Sequence, residues 1–283
     1  MATPTARQLV LDLLSTLRRG AMPVRALVAA GALFGISDNS VRVALARLLA
    51  DGLIERDERG AYRLGLRAQA VSQQVASWRD LDARMRPWRG GWLAVHTGGL
   101  GRAARGRVRW RLRALDWLGF RELRPCLALR PDNLTDGVAG MRERLHALGL
   151  DPEALVFELA GLDASTGGEA ELLWPAAPLV AGYQRARLVL ERSEQRLAAL
   201  PEKRAMVETF TLGGEVIRQL ALDPLLPDAL VPSRERSLLL ETMRRYDRVG
   251  RGCWSRFLGS FGVLPRPAAP ADLRLPSAMG GRW

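Results

Sequence analysis

Apolar residues recur at helical spacing three times near the start of the chain. Thr5 to Leu17 gathers Leu9, Val10, Leu13, Leu14 and Leu17 on one face, which predicts a first helix that breaks at Gly20 and Pro23. Val24 to Phe34 is apolar almost throughout and predicts a second helix, sandwiched between the first and a third. Phe34-Gly35-Ile36 then supplies a tight turn, and Ser37 a good N-cap, so the third helix starts at Asp38. On that helix Val41, Leu45 and Leu48 form an apolar stripe with Ala44 and Leu49 beside them; the opposite stripe reads Asn39, Ser40, Arg42, Val43, Ala46 and Arg47. Gly52 ends the helix. Leu53 to Arg56 and Ala61 to Leu64 flank Asp57-Glu58-Arg59-Gly60, the pattern of two short strands around a glycine-containing turn. Helix, turn, helix and basic hairpin together describe a winged helix-turn-helix.

Beyond this unit, Arg67 to Trp88 has helical stretches broken at Pro87 and reads as a connector. A glycine pair, Gly90-Gly91, precedes a short buried strand from Trp92 to Val95. Gly106 to Leu118 predicts a helix with Val108, Leu112, Leu115 and Leu118 in register and Gly119 to stop it. Phe120 to Leu129 is strand material around Pro125, Thr135 to Leu148 an amphipathic helix, and Ala154 to Leu159 a further strand. That order predicts a small ferredoxin-like α+β domain. From Glu171 the pattern is helical, with long segments at Leu179 to Leu200, Lys203 to Leu220 and Arg234 to Leu258. The expected organisation is therefore α+β: a winged helix-turn-helix at 1–66, a connector at 67–88, a ferredoxin-like domain at 89–165, a helical domain at 171–262, and a disordered tail at 265–283, rich in Pro, Ala and Gly.

Charge sharpens this picture. The net charge is +12, and 41 of the 42 basic residues are arginine. Residues 1–90 hold 14 basic against 8 acidic side chains, 91–170 hold 11 against 10, and 171–283 hold 17 against 12. The first third is the densest in positive charge, as nucleic-acid binding requires. No stretch without charge reaches the roughly 20 residues a membrane span needs, and the apolar run Ala26 to Ile36 is far shorter. Arg7 and Asp12 interrupt the N-terminus, so no signal peptide is expected, and Cys126 and Cys253, without CxxC spacing, fit thiols of a reducing cytoplasm.

Chemistry is sparse. His96 and His146 are the only histidines and neither lies in HxxxH or HExxH spacing, so no metal and no cofactor is expected. No GxSxG or P-loop is present. The residues that fit contact with double-stranded DNA are Ser37, Asn39, Ser40, Arg42, Val43 and Arg47 on the third helix, and Arg56, Arg59 and Arg63 in the hairpin. Asp38 would repel phosphate and must turn away or accept from a cytosine amine. A second arginine run, Arg102, Arg105, Arg107, Arg109, Arg111 and Arg113, flanks Trp110 and reads either as a second anionic-ligand surface or as a solvated or dimer-facing helix.

Three of these pieces, in this order, resemble the PaaX family of bacterial transcriptional repressors. They are the Phe34-to-Leu48 run, the Trp88-Arg89-Gly90-Gly91-Trp92 segment with its arginine-rich helix ending at Gly119-Phe120, and Asp223-Pro224-Leu225-Leu226-Pro227. The resemblance implies a cytoplasmic, homodimeric, non-enzymatic regulator with a Cas2-like middle domain. It also implies repression of a catabolic operon and release from DNA by a small effector such as an aryl-CoA thioester, which no motif in the sequence identifies. The alternative is a metal-dependent nuclease using the Cas2-like domain. Against it, the first strand of that domain ends Val95-His96-Thr97-Gly98, where Cas2-type nucleases place a metal-binding aspartate.

Overall fold

The computed structural model describes residues 3–17, 20–99 and 105–263, with the side chains of 70, 74 and 105 aside. The chain opens with α1 (Ala6–Ser15), a two-residue strand β1 (Met22–Pro23), α2 (Val24–Leu33), α3 (Asp38–Ala50) and the hairpin β2 (Ile54–Arg56) and β3 (Ala61–Leu64). β1 adds to β3 to give a three-stranded antiparallel sheet ordered β1-β3-β2. The break expected at Pro23 is thus an edge strand, a position proline tolerates because its missing N–H faces no partner.

Thr5 caps α1 by accepting from the Gln8 N–H, and Gly35 makes the turn before α3 at φ +70°, a conformation that side chains with a Cβ rarely adopt. Leu9, Leu13 and Leu14 of α1 meet Val41, Leu45 and Leu48 of α3 in one buried cluster. α1 packs directly on α3, so α2 is not the middle layer its composition suggested. Its apolar surplus is taken up elsewhere, since the same cluster continues through Phe34 into Met206, Phe210 and Trp254 of the C-terminal helices.

α4 (Leu66–Ala76) and two 3-10 turns follow, and Trp78 and Leu81 are buried in the central core, so the connector is built into the body of the molecule. The middle region runs β4 (Trp92–His96), α5 (Arg105–Trp117), β5 (Arg121–Arg124), β6 (Leu127–Pro131), α6 (Gly137–Ala147) and β7 (Leu155–Leu159). The strand expected around Pro125 is a hairpin, and the four strands form an antiparallel sheet ordered β5-β6-β4-β7. β4 is buried on both sides. Leu93 and Val95 face α5 and α6, while Trp92 and Ala94 face Trp174, Leu226 and Val231, with Trp92 and Trp174 stacked at 6.1 Å. On α5 the buried side is Ala114, Leu115 and Leu118; Val108 and Leu112, expected in the core, are exposed.

A short helix not read from the sequence, α7 (Ala164–Glu171), leads to α8 (Ala176–Leu197), α9 (Glu202–Ala221) and α10 (Arg234–Gly259), which pack on one another. The link 223–227 locks this bundle to the sheet. Arg130, 2% exposed, donates to the carbonyls of Leu118, Pro131 and Pro224 and to Asn133, and Asn133 donates to the Leu225 carbonyl at 2.6 Å. Arg236 donates to the Leu226 carbonyl and lies 3.8 Å from Asp223, which accepts from the Leu225 N–H at 2.8 Å. Burial raises the Asp223 carboxyl above its ordinary range, with Arg236 opposing, and lowers Arg130 to about 9. Gly119 is required here because a Cβ on it would come within 2.8 Å of Pro224 Cα. The residues expected as a tail at 265–283 lie outside the described ones, and among the described residues no helix is long and apolar enough to cross a membrane.

Candidate nucleic-acid interface

α3 divides cleanly by face. Val41, Ala44, Leu45 and Leu48 are buried; Asn39, Ser40, Arg42, Val43, Ala46 and Arg47 are exposed, with Val43 at 40%. This is the partition that 3.6-residue periodicity imposes when one stripe is sealed into a core. Ser37 sits at the cap, where its hydroxyl accepts from the Ser40 N–H at 3.2 Å and meets the Ser40 hydroxyl at 2.9 Å. Both serines therefore hold the first turn of α3, leaving Asn39 as the first-turn side chain with an uncommitted amide among the described residues.

The cations are held in different ways. Arg42 donates to the Asp38 carboxylate at 2.6 Å, an i,i+4 pair exposed to solvent. Asp38 thus neither turns away nor stands free; it screens Arg42 and fixes its guanidinium along the helix. The four-residue spacing carried that signal, and weighing Asp38 only against phosphate missed it. Arg63 pairs with Glu55 at 2.9 Å, the residue opposite it in the β2–β3 register. Arg47, Arg56 and Arg59 are exposed and make no ion pair among the described residues. Arg56 lies 5.9 Å from the centre of the Tyr62 ring.

Asp57 shapes the tip of the hairpin. Its carboxylate accepts from the N–H groups of Arg59 at 3.0 Å and Ala61 at 2.8 Å. Its charge is therefore turned onto the backbone, while the Arg59 side chain stays exposed. Two further cations frame α3 and were not singled out: Arg7 pairs with Asp51 at 2.7 Å, and Arg67 donates to the Asp51 carbonyl at 3.0 Å, both at the C-terminal end of the helix.

The second arginine run behaves otherwise. Arg111 is tied to Asp151 at 2.7 Å and holds that carboxyl below its usual range, and Arg113 lies over the Trp110 and Trp117 rings at 5.7 and 5.2 Å. Arg107 and Arg109 are exposed; Arg102 and the Arg105 side chain fall outside the described residues.

Over 92% of its length the chain is similar to a solved structure, an uncharacterized protein from Mycobacterium tuberculosis, of which it covers 99% at 23% identity with a TM-score of 0.57. At that identity the likeness concerns the fold alone. No curated protein matches the chain. Residues 5–68, the segment holding α1 to α3 and the β2–β3 hairpin, match the family model described as PaaX-like protein, and over this segment the resemblance read from the sequence to that family of transcriptional regulators holds.

Proposed function

We propose that this chain is a sequence-specific DNA-binding transcription regulator whose first 66 residues act as a winged helix-turn-helix, α3 entering the major groove and the β2–β3 hairpin serving as the wing. The observation that carries this reading is the solvent face of α3, where Asn39, Arg42, Val43 and Arg47 stand together on a helix sealed from behind. These are the side-chain types that read base edges: an amide for adenine, guanidinium for guanine or phosphate, and an apolar group for the thymine methyl. Arg56 and Arg59 on the hairpin suit phosphate contacts that set register.

The βαββαβ order and the β5-β6-β4-β7 sheet support reading 89–165 as a ferredoxin-like, Cas2-like domain, with 171–262 as a helical domain. A homodimer follows from need, since a single recognition helix seldom supplies a regulator's affinity and two, about 34 Å apart, meet successive major grooves. Exposed apolar residues fit such a contact: Val108, Trp110 and Leu112 on α5, and Leu188 and Val189 on α8. Repression of a catabolic operon in the cytoplasm, relieved by a small effector such as an aryl-CoA thioester, rests on the family resemblance.

Footprinting of the full chain on the DNA upstream of its own and neighbouring genes tests the proposal. The expected result is a protected site with two half-sites about 10 bp apart, unaffected by EDTA. Uniform, sequence-independent binding, or none, would overturn it.

A further inference from the structure

The unit that carries α3 does not close its own core. The buried cluster that begins with Leu9, Leu13, Val41 and Leu45 is completed by Met206 of α9 and by Trp254 and Leu258 of α10. Phe34, the C-cap of α2, stands at this joint and is 8% exposed. Its ring meets Phe210 edge-on at 5.3 Å and stacks on Trp254 at 6.4 Å, and those two rings lie 5.5 Å apart. We propose that Phe34, Phe210 and Trp254 are positioning residues: they hold α3 at one angle to the body of the molecule and thereby fix the separation of the two half-sites that a dimer accepts. This rests on the DNA-reading dimer proposed above and adds what sets its spacing preference.

Three observations carry the proposal. The joint has a direction as well as an area, because aromatic rings favour edge-to-face and offset arrangements and a cluster of three resists rotation in a way that aliphatic contact does not. Trp254 is itself pinned, since its indole N–H donates to the Met206 carbonyl at 2.9 Å and Phe257 meets the indole edge-on at 5.6 Å. Next, a movement at Phe34 reaches α3. Gly35 follows at φ +70°, the Ile36 N–H donates back to the Gly31 carbonyl at 3.0 Å, and Asp38 opens α3. A Cβ on Gly31 would lie 2.7 Å from Val41 Cγ2, so α2 and α3 are in close contact and tilt together. Third, the remaining ties to the body are weak or one-ended. Asp12 of α1 lies 3.5 Å from Arg218 of α9 as a solvent-exposed pair, which contributes little, and α4, continuing from β3, packs on α9. The aromatic cluster is left to set the tilt.

Half-site spacing is where such seating shows. One base pair more or fewer between half-sites moves one of them about 3.4 Å along the duplex and about 35° around it. Two recognition helices fixed to the body cannot follow that displacement and must surrender contacts, whereas helices free to tilt can follow it. Base preference within a half-site comes from the side chains of α3 itself, and the tilt leaves it untouched.

Sites selected by the full chain from a random duplex library give the half-site motif and its spacing. Affinity is then measured for the selected site and for versions with one base pair inserted or removed between the half-sites. The wild type should enrich one spacing and lose about ten-fold or more on either change, the scale of a mismatched base pair, whereas Phe210→Leu should enrich the same motif at several spacings and lose no more than about three-fold. Phe34→Leu should behave like Phe210→Leu. Ile54→Val, a change in the same core but in strand β2, should lower Tm and keep the wild-type discrimination; loss of discrimination there would assign the effect to general loosening and overturn the inference. Folded Phe210→Leu and Phe34→Leu that discriminate like the wild type overturn it, as does a wild type that accepts all three spacings. If Phe210→Leu does not fold, Phe34→Leu and the wild-type series decide. A motif without a spacing effect sinks the seating alone, whereas no enriched motif sinks the DNA reading together with it.

Discussion

Arginine does opposite work in two regions of this molecule. At the 223–227 link, Arg130 and Arg236 are buried, and carbonyl oxygens, an amide and a carboxylate surround their guanidinium groups. On α3 and the hairpin, Arg47, Arg56 and Arg59 project into solvent without an ion-pair partner among the described residues, and Arg42 and Arg63 are held only by exposed carboxylates. A buried cation is expensive to leave unpaired, so the first set belongs to folding. An exposed cation contributes little to stability, so the second set is free to serve a ligand. Net charge alone hides this division, because the same residue type counts equally in both.

The sharpest way to break the comparison is Arg236→Ala. It leaves the Asp223 carboxyl buried without its cation and removes a donor to the Leu226 carbonyl, and should destabilise the fold by about 3–5 kcal/mol in urea unfolding. Arg56→Ala with Arg59→Ala is its mirror: stability in urea should change by no more than about 0.5 kcal/mol, while the slope of log affinity for DNA against log salt falls by about 0.9 for each phosphate no longer neutralised. An unchanged slope would remove the hairpin from the interface.

Ser37→Ala tests the junction between folding and reading, since the Ser37 hydroxyl caps α3. It should cost about 1 kcal/mol of stability and weaken DNA binding without altering base preference. The smallest effect belongs to Asp12. Burial pushes its carboxyl up to about 6, and Arg218 only partly opposes this. Since the folded form holds this proton more tightly than the unfolded chain, stability from Asp12 is full below about pH 4 and is lost as the pH rises through 6. The side chain is 38% exposed, so solvent mutes the effect. Asp12→Asn should raise Tm slightly at pH 7.5 and leave it unchanged near pH 4; equal shifts at both pH values would mean that titration is not the cause.

The two regions also differ in how far the sequence revealed them. The face of α3 was legible because one helix buries one stripe, and local periodicity carries that information within 13 residues. Even the Asp38–Arg42 pair lay in plain spacing. The role of 223–227 was visible only as a motif, because its partners Arg130 and Asn133 come from a strand end some 90 residues away and no local pattern announces them. The same distance problem hid the contact of Phe34 with Phe210 and Trp254, and with it the reason α2 is so apolar. The misread face of α5 has a different cause. Helical spacing set Val108, Leu112, Leu115 and Leu118 in one stripe but could not say how much of it this chain covers, and it covers Leu115 and Leu118 while leaving Val108 and Leu112 exposed.

The central claim is that α3 reads DNA through Arg42 and Arg47, and the most direct test is affinity for a footprinted site measured with Arg42→Ala and Arg47→Ala combined in the full chain. Both positions lie off the Val41, Leu45 and Leu48 stripe, so the double variant should unfold like the wild type. Its binding should weaken by about 1–3 kcal/mol for each base edge left without its arginine, with relaxed preference at the corresponding base pair. Undiminished affinity and unchanged base preference in a folded double variant would contradict the account.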